Sequence, residues 1–408
     1  MSLEGHTKAE ILAGGRRLRL PGIGRPMLRR LFACLDTHRL TIVTPSGERI
    51  THHAAAEGPE AVLVFHTWRA LRRTVSGGDI GFAKAYIAGE WSSPDLTTLI
   101  SLAAERCDYL GTAVLGWLPL RVLNRLLHRL RSNTKSRSPK NIAFHYDLGN
   151  DFYRLWLDRS MTYSSAFYES PEQSLEDAQQ AKQARIVDLL ELEGGEKVLE
   201  IGFGWGSLAA RMARRGARVT GLTLSEQQLA YAQDLVAAEG CADRVDLRLQ
   251  DYRDSDGSFE RIVSIEMLEA VGEAYWPAYF ATLRDRLKPG GKAVLQAITI
   301  REDRFESYRR SADFIQRYIF PGGLLPTKTI IAEQAKCAGL ALSSVTPFGD
   351  SYARTLAEWR CRFLEVWPAI EQLGFRPSFR RLWEYYLAYC EAGFRTGAIS
   401  VDLYALTG

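Results

Sequence analysis

Residues 198–213, VLEIGFGWGSLAARMA, decide how the rest of this chain is read. A short apolar run rich in β-formers carries Glu200, then Gly202, Gly204 and Gly206 alternate with Phe203 and Trp205, and a helix-forming stretch follows. The pattern is a strand-to-helix turn. Glycines there let the backbone turn tightly and approach a ligand, and the helix start presents free N–H groups. A dinucleotide-binding loop requires GxGxxG, and the third position of that spacing holds Ser207. ExGxGxG fits without a gap. Its acid stands before the glycines, where it suits a cationic ligand better than a pyrophosphate. A tight turn with no ligand would leave the same glycines.

Outward from this loop, the chain alternates helix and strand from Ser170 on, the mark of a parallel α/β sheet. Ser170, Pro171 and Gln173 predict a capped helix that runs to Gly194-Gly195. Strands are expected at KVLEIG, RVTGLTL, VDLRLQ, RIVSIEM and KAVLQAITI, with helices opening near Gly206, Ser225 and Tyr275. LKPGGK reads as the turn into the fifth strand, and AISVDLYAL as a terminal strand. The second strand end offers Thr223, Ser225 and Gln228, and the third offers Asp251 with Tyr252 beside it. Open α/β sheets bind ligands along that carboxyl edge. Each of these polar groups could instead cap a helix. In this order, they and the ExGxGxG loop resemble the nucleoside site of the class I S-adenosylmethionine-dependent methyltransferases. The fold expected is therefore α/β, a Rossmann-like methyltransferase sheet preceded by a small N-terminal α+β domain, with S-adenosylmethionine as cofactor.

The chain's 408 residues suffice for two domains. The net charge of +4 is unevenly spread: no Asp or Glu occurs from Tyr109 to Tyr146, where Arg121, Arg125, Arg129, Arg131, Lys135, Arg137 and Lys140 lie. That stretch reads as a solvated helix and linker or as a membrane-surface segment, which would gain from apolar burial and from anionic lipid. No nucleic-acid module accompanies it. Six scattered cysteines without a CxxC pair argue against a disulfide framework or a zinc site. No signal pattern or long apolar run is present, so an intracellular, non-spanning protein is expected.

A more specific resemblance rests on FHYDLGNDFYRLWLDRSMTYSSAFYE, GLTLSEQQ, LQDYRD, RYIFPGGLLP and SYARTLAEW. Together they are similar to the cyclopropane-fatty-acid synthase family, densely from about residue 140 onward and more loosely before it. The resemblance implies methyl transfer to double bonds of phospholipid acyl chains, giving a cyclopropane. It also implies peripheral contact with the inner face of the membrane, a cytoplasmic homodimer, and no nucleic-acid partner. The division expected is a lipid-associated domain at 1–130, a basic linker at 131–140 and a catalytic domain at 141–408. Tyr163 and Ser164 fall where the family lines its cofactor.

Methylating an alkene leaves a carbocation, so the site must exclude water, face the cation with aromatic rings and remove a proton. The resemblance implies a bicarbonate base held by Ser165, Glu269, Gln296, the backbone of Ile298, and Tyr352. Ser165 and Gln296 stand where the family has cysteine and histidine. All seven histidines lie at or before His145, so none follows to compensate. Glu266, three residues before Glu269, stands where the family commonly has glycine. Either it points outward to an arginine, or it alters proton removal and shifts the product toward a methyl-branched or methylene chain. Tyr318, Phe320 and the aromatics of 383–394 read equally as an acyl channel or as core.

Overall fold

The computed structural model describes residues 39–52, 60–110, 148–310 and 312–408. The basic stretch at 121–140 lies outside them. The chain divides into two compact units, Met1–Val122 with Arg376–Ala392, and Leu123–Phe375 with Gly393–Gly408. The segment 376–392, assigned by sequence to the catalytic region, thus groups with the first unit.

In the first unit, strands β1 (Arg39–Val43), β2 (Arg49–His52), β3 (Glu60–Phe65) and β4 (Trp91–Ser92) form a sheet in the order β2-β1-β3-β4. The sequence runs RLTIV and AVLVF supply its central strands, which pair in parallel. Trp91 stacks on Phe82 at 4.1 Å between centroids, and Tyr385 packs against Tyr86 at 5.6 Å. Tyr385 and Trp383 are buried within this unit, so these two aromatics serve its packing.

The second unit is built on seven strands in the order β10-β11-β9-β8-β5-β6-β7. Strands β5 (Lys197–Ile201), β6 (Arg218–Thr223), β7 (Val245–Leu249), β8 (Phe259–Ile265) and β9 (Leu287–Ile300) run parallel. These are the five runs read from the sequence. Their near-continuous apolar character fits strands covered on both faces: Val198, Leu199, Ile262, Val263, Ala293 and Val294 are fully buried. Strand β11 (Ile399–Thr407) inserts antiparallel between β9 and β10 (Ala341–Pro347). The sequence reading missed β10. It is an edge strand, mostly exposed on both faces, so no alternation marks it.

Strand order reverses between β5 and β8, which creates the crevice that places a ligand site at their carboxyl ends. One helix boundary differs from expectation. The helix begins at Leu175, capped by Ser174, whose hydroxyl accepts from Asp177 N–H. Gln173 instead accepts from the Glu169 N–H at 2.7 Å, within the preceding turn. Among the described residues, no helix is long and apolar enough to cross a membrane.

Candidate active site

Glu200 lies on β5 and is buried, and its Oε2 has no hydrogen-bond partner. Burial pushes its carboxyl up to about 8, opposed by Lys182. The three glycines that follow all have positive φ. A Cβ on Gly202 would lie 2.5 Å from Met267 Sδ, and one on Gly206 would lie 2.8 Å from Ala232 Cβ. Gly206 is required by packing against Ala232, and at Gly202 the Met267 side chain and a φ of +81° both disfavour a larger residue. A Cβ on Gly204 would meet nothing within 4 Å, so its backbone faces open space. A small cationic nucleoside fits this arrangement.

The other expected cofactor groups divide. Thr223 Oγ1 donates to Gln228 Oε1 at 3.0 Å and accepts from Ser225 N–H, while Ser225 caps the helix Glu226–Ala238. These hydroxyls shape the loop after β6. Asp251 caps a short 3-10 turn and pairs bidentately with Arg253, at 2.8 and 2.6 Å. Arg253 also lies over the Tyr252 and Tyr275 rings. The buried Tyr252 hydroxyl has no hydrogen-bond partner, and burial raises it to about 12. Tyr163 sits among aromatics, 5.3 Å from Tyr153, 5.7 Å from Trp156 and 5.1 Å from Trp359.

The two glutamates after β8 face inward. Glu266 Oε1 accepts from Ser165 N–H at 2.9 Å and from Gln296 Nε2 at 2.7 Å, and Oε2 accepts from the Tyr352 hydroxyl at 2.7 Å. The outward, arginine-paired alternative is therefore replaced by an inward one. Glu266 holds φ at +52°, a conformation that favours glycine and costs other residues about 1–2 kcal/mol. Ser165 contributes its backbone, because its hydroxyl donates to Ala166 O. Glu269 Oε1 accepts from Ile298 N–H, while its buried Oε2 has no hydrogen-bond partner. Burial and then Glu266 push the Glu269 carboxyl up to about 8. Burial also raises Glu266.

The residues present do not fit bicarbonate. Three of its expected ligands already donate to Glu266, so a further anion would compete with that carboxylate for the same donors.

Sequence reasoning missed one element of the site. The helix Leu175–Leu190 buries Gln179, Lys182 and Gln183 on one face. Gln179 Nε2 donates to Ser164 O at 2.9 Å, Lys182 Nζ to Ser164 Oγ at 2.6 Å, and Gln183 Nε2 to Ser207 Oγ at 2.8 Å. In AQQAKQA such residues read as a solvated face, and only their i, i+3, i+4 spacing hints otherwise.

A glycine loop at the switch point of this sheet, with a buried acid that the protein leaves unpaired, defines an S-adenosylmethionine-dependent methyltransferase. Known proteins narrow the class. The chain belongs to the mycolic acid cyclopropane synthetase family, whose pattern matches residues 133–404. It is 42% identical over 394 residues to the tuberculostearic acid methyltransferase UfaA1 of Mycobacterium tuberculosis, covering 94% of this chain and 90% of that one. It is 35% identical over 338 residues to the cyclopropane-fatty-acyl-phospholipid synthase of Escherichia coli, covering 81% and 84%. The crystal structure of mycolic acid cyclopropane synthase CmaA1 with S-adenosylhomocysteine and CTAB matches 66% of this chain and 98% of its own. Its TM-score is 0.63 and its identity 31%. Methyl transfer from S-adenosylmethionine to lipid acyl chains is the activity this family supports.

Proposed function

We propose that this enzyme methylates the double bond of an unsaturated phospholipid acyl chain, with Glu266 as the base that removes the proton. The product expected is a methyl-branched or methylene-bearing chain. One observation carries the reading: the Glu266 carboxylate gathers Ser165 N–H, Gln296 and Tyr352, donors that the resemblance assigns to bicarbonate. Likeness to a relative named as a methyltransferase supports it, while cyclopropane formation, the activity in the name of the Escherichia coli relative, is the second reading.

S-adenosylmethionine, which Glu200 and the glycine loop would hold, would supply an electrophilic methyl to the alkene carbon, with the C–S pair staying on sulfur and the neighbouring carbon left cationic. An aromatic face toward such a cation is worth about 0.5–2 kcal/mol; Trp156 and Trp359 are fully buried against each other and against Tyr163, so they serve packing. Three donors favour the ionised form of Glu266 against its burial, which suits it to accept a proton. Glu269, raised to about 8, stays neutral near pH 7. Of the two carboxyls, Glu266 holds the donors that favour an anion, and Glu269 is the one pushed up to about 8.

The test is product analysis by gas chromatography and proton NMR, since ring and methylene products are isomers and only the latter keeps olefinic signals. Wild type should give the olefinic product without added bicarbonate. A ring product, unchanged by Glu266→Gly, sinks the base assignment. We further propose that the basic stretch draws the enzyme to anionic membrane, at about 1 kcal/mol per charge. Replacing Arg125, Arg129, Arg131 and Lys135 by glutamine should weaken vesicle co-sedimentation at low salt.

A further inference from the structure

We infer that Lys182 is a positioning residue for this reaction: its buried ammonium is the countercharge that keeps Glu266 ionised, and its bond to Ser164 sets the segment that presents the Ser165 N–H to Glu266. The inference rests on Glu266 acting as the base.

Lys182 is 2% exposed, in the middle of the helix Leu175–Leu190. Burying an ammonium costs several kcal/mol unless charge and hydrogen bonds compensate it. Its acceptor, Ser164 Oγ at 2.6 Å, is a neutral hydroxyl, so the compensating charge must come from elsewhere. Three buried or half-buried carboxyls act on it: Glu266 after β8, Asp158 on the loop before Tyr163, and Glu200 on β5. Of these, Glu266 has the largest effect. Asp158 already accepts from Ser160 and Thr162 N–H, and the Ser160 hydroxyl also bonds it. Burial lowers Lys182 to about 8, opposed first by Glu266 and then by Asp158, and it remains charged near pH 7.

The groups that face Glu266 are few. Tyr352 on the helix Gly349–Glu365, Gln296 on β9 and the Ser165 N–H are neutral donors, and Glu269 is an acid. Among the described residues, Lys182, bonded to Ser164 beside the Ser165 N–H donor, is the cation that acts on Glu266. Gln179 and Gln183, on either side of it along the same helix face, fix the loop and the start of the glycine-loop helix without adding charge. The helix therefore holds the backbone with two amides and sets the electrostatics with one ammonium.

The experiment compares Lys182→Met, Lys182→Arg and Glu266→Gln in single-turnover methyl transfer across pH. Removing the cation makes Glu266 harder to ionise, so the acidic limb should move up by at least one pH unit in Lys182→Met. Its loss should be tenfold or more at pH 6.5 and shrink as pH rises, while Lys182→Arg restores the limb. An equal loss at every pH, with Glu266→Gln inactive, overturns the role of Lys182 and leaves the base in place. Full turnover by Glu266→Gln instead overturns the base itself, and the inference with it. If neither lysine variant folds, NMR of wild-type protein carrying labelled lysine decides. A solvent-protected ammonium signal at pH 6.5 is expected, and its absence overturns the inference.

Discussion

Glu200 and Glu266 stand at the carboxyl ends of neighbouring parallel strands, β5 and β8, and burial raises both. Their surroundings differ. Glu200 has an oxygen with no hydrogen-bond partner, on an ordinary extended strand. Glu266 has three donors on its two oxygens, and its backbone is held at positive φ. A buried carboxyl without donors is completed by a cation that arrives. One that the protein completes in advance has donors that favour its anion, the form that takes a proton. The contrast separates a binding acid from a base more sharply than burial does.

The largest effect expected is on the base side. Glu266→Gln should lower kcat by about 100- to 10,000-fold, the usual contribution of a positioned base. S-adenosylmethionine affinity, measured by calorimetry, should stay within about threefold, since Glu200 and the glycine loop are untouched. An equal loss in affinity would erase the distinction between the two acids.

On the binding side, Gly204→Val should weaken S-adenosylmethionine binding by at least about tenfold while circular dichroism shows the fold retained. Its Cβ would meet no protein atom within 4 Å, so the added branches project where ligand approaches. The positive φ of Gly204 adds roughly 1–2 kcal/mol against a branched residue. Unchanged affinity in a folded variant would remove the loop from the cofactor site.

Glu200 supplies a pH test. At about 8 it is protonated near pH 7 in the free enzyme, and a bound cation favours its ionised form. Binding should then release up to one proton, and affinity should rise by up to about tenfold per pH unit between roughly 6 and 8. Calorimetry in two buffers of different ionisation enthalpy measures the proton, and Glu200→Gln should abolish its release.

The smallest effect concerns Thr223. Its hydroxyl bonds Gln228 and Ser225, so Thr223→Val should cost about 1 kcal/mol of stability in denaturant titrations. Affinity should change less than about threefold. A larger loss would return Thr223 to direct cofactor contact.

The five parallel strands and the glycine loop were legible because their signals are local: apolar runs, three glycines within five residues, and an acid two positions before them. Asp251 was legible as a polar group at a strand end, but its bond to Arg253 two residues on was not read. β10 escaped because exposure on both faces leaves no pattern. Lys182 escaped because a polar helix face is the same in composition whether it meets water or a buried loop.

Glu266 marks the boundary between the two kinds of knowledge. The sequence alone placed a carboxylate where the resembling family has glycine, and so raised the question of proton removal. Its orientation was decided by donors 101, 30 and 86 residues away, at Ser165, Gln296 and Tyr352. Backbone conformation at a glycine loop is set by residues within a few positions. A buried carboxylate takes its protonation from whichever donors and charges the folded chain brings within hydrogen-bond reach, and no local pattern encodes that set.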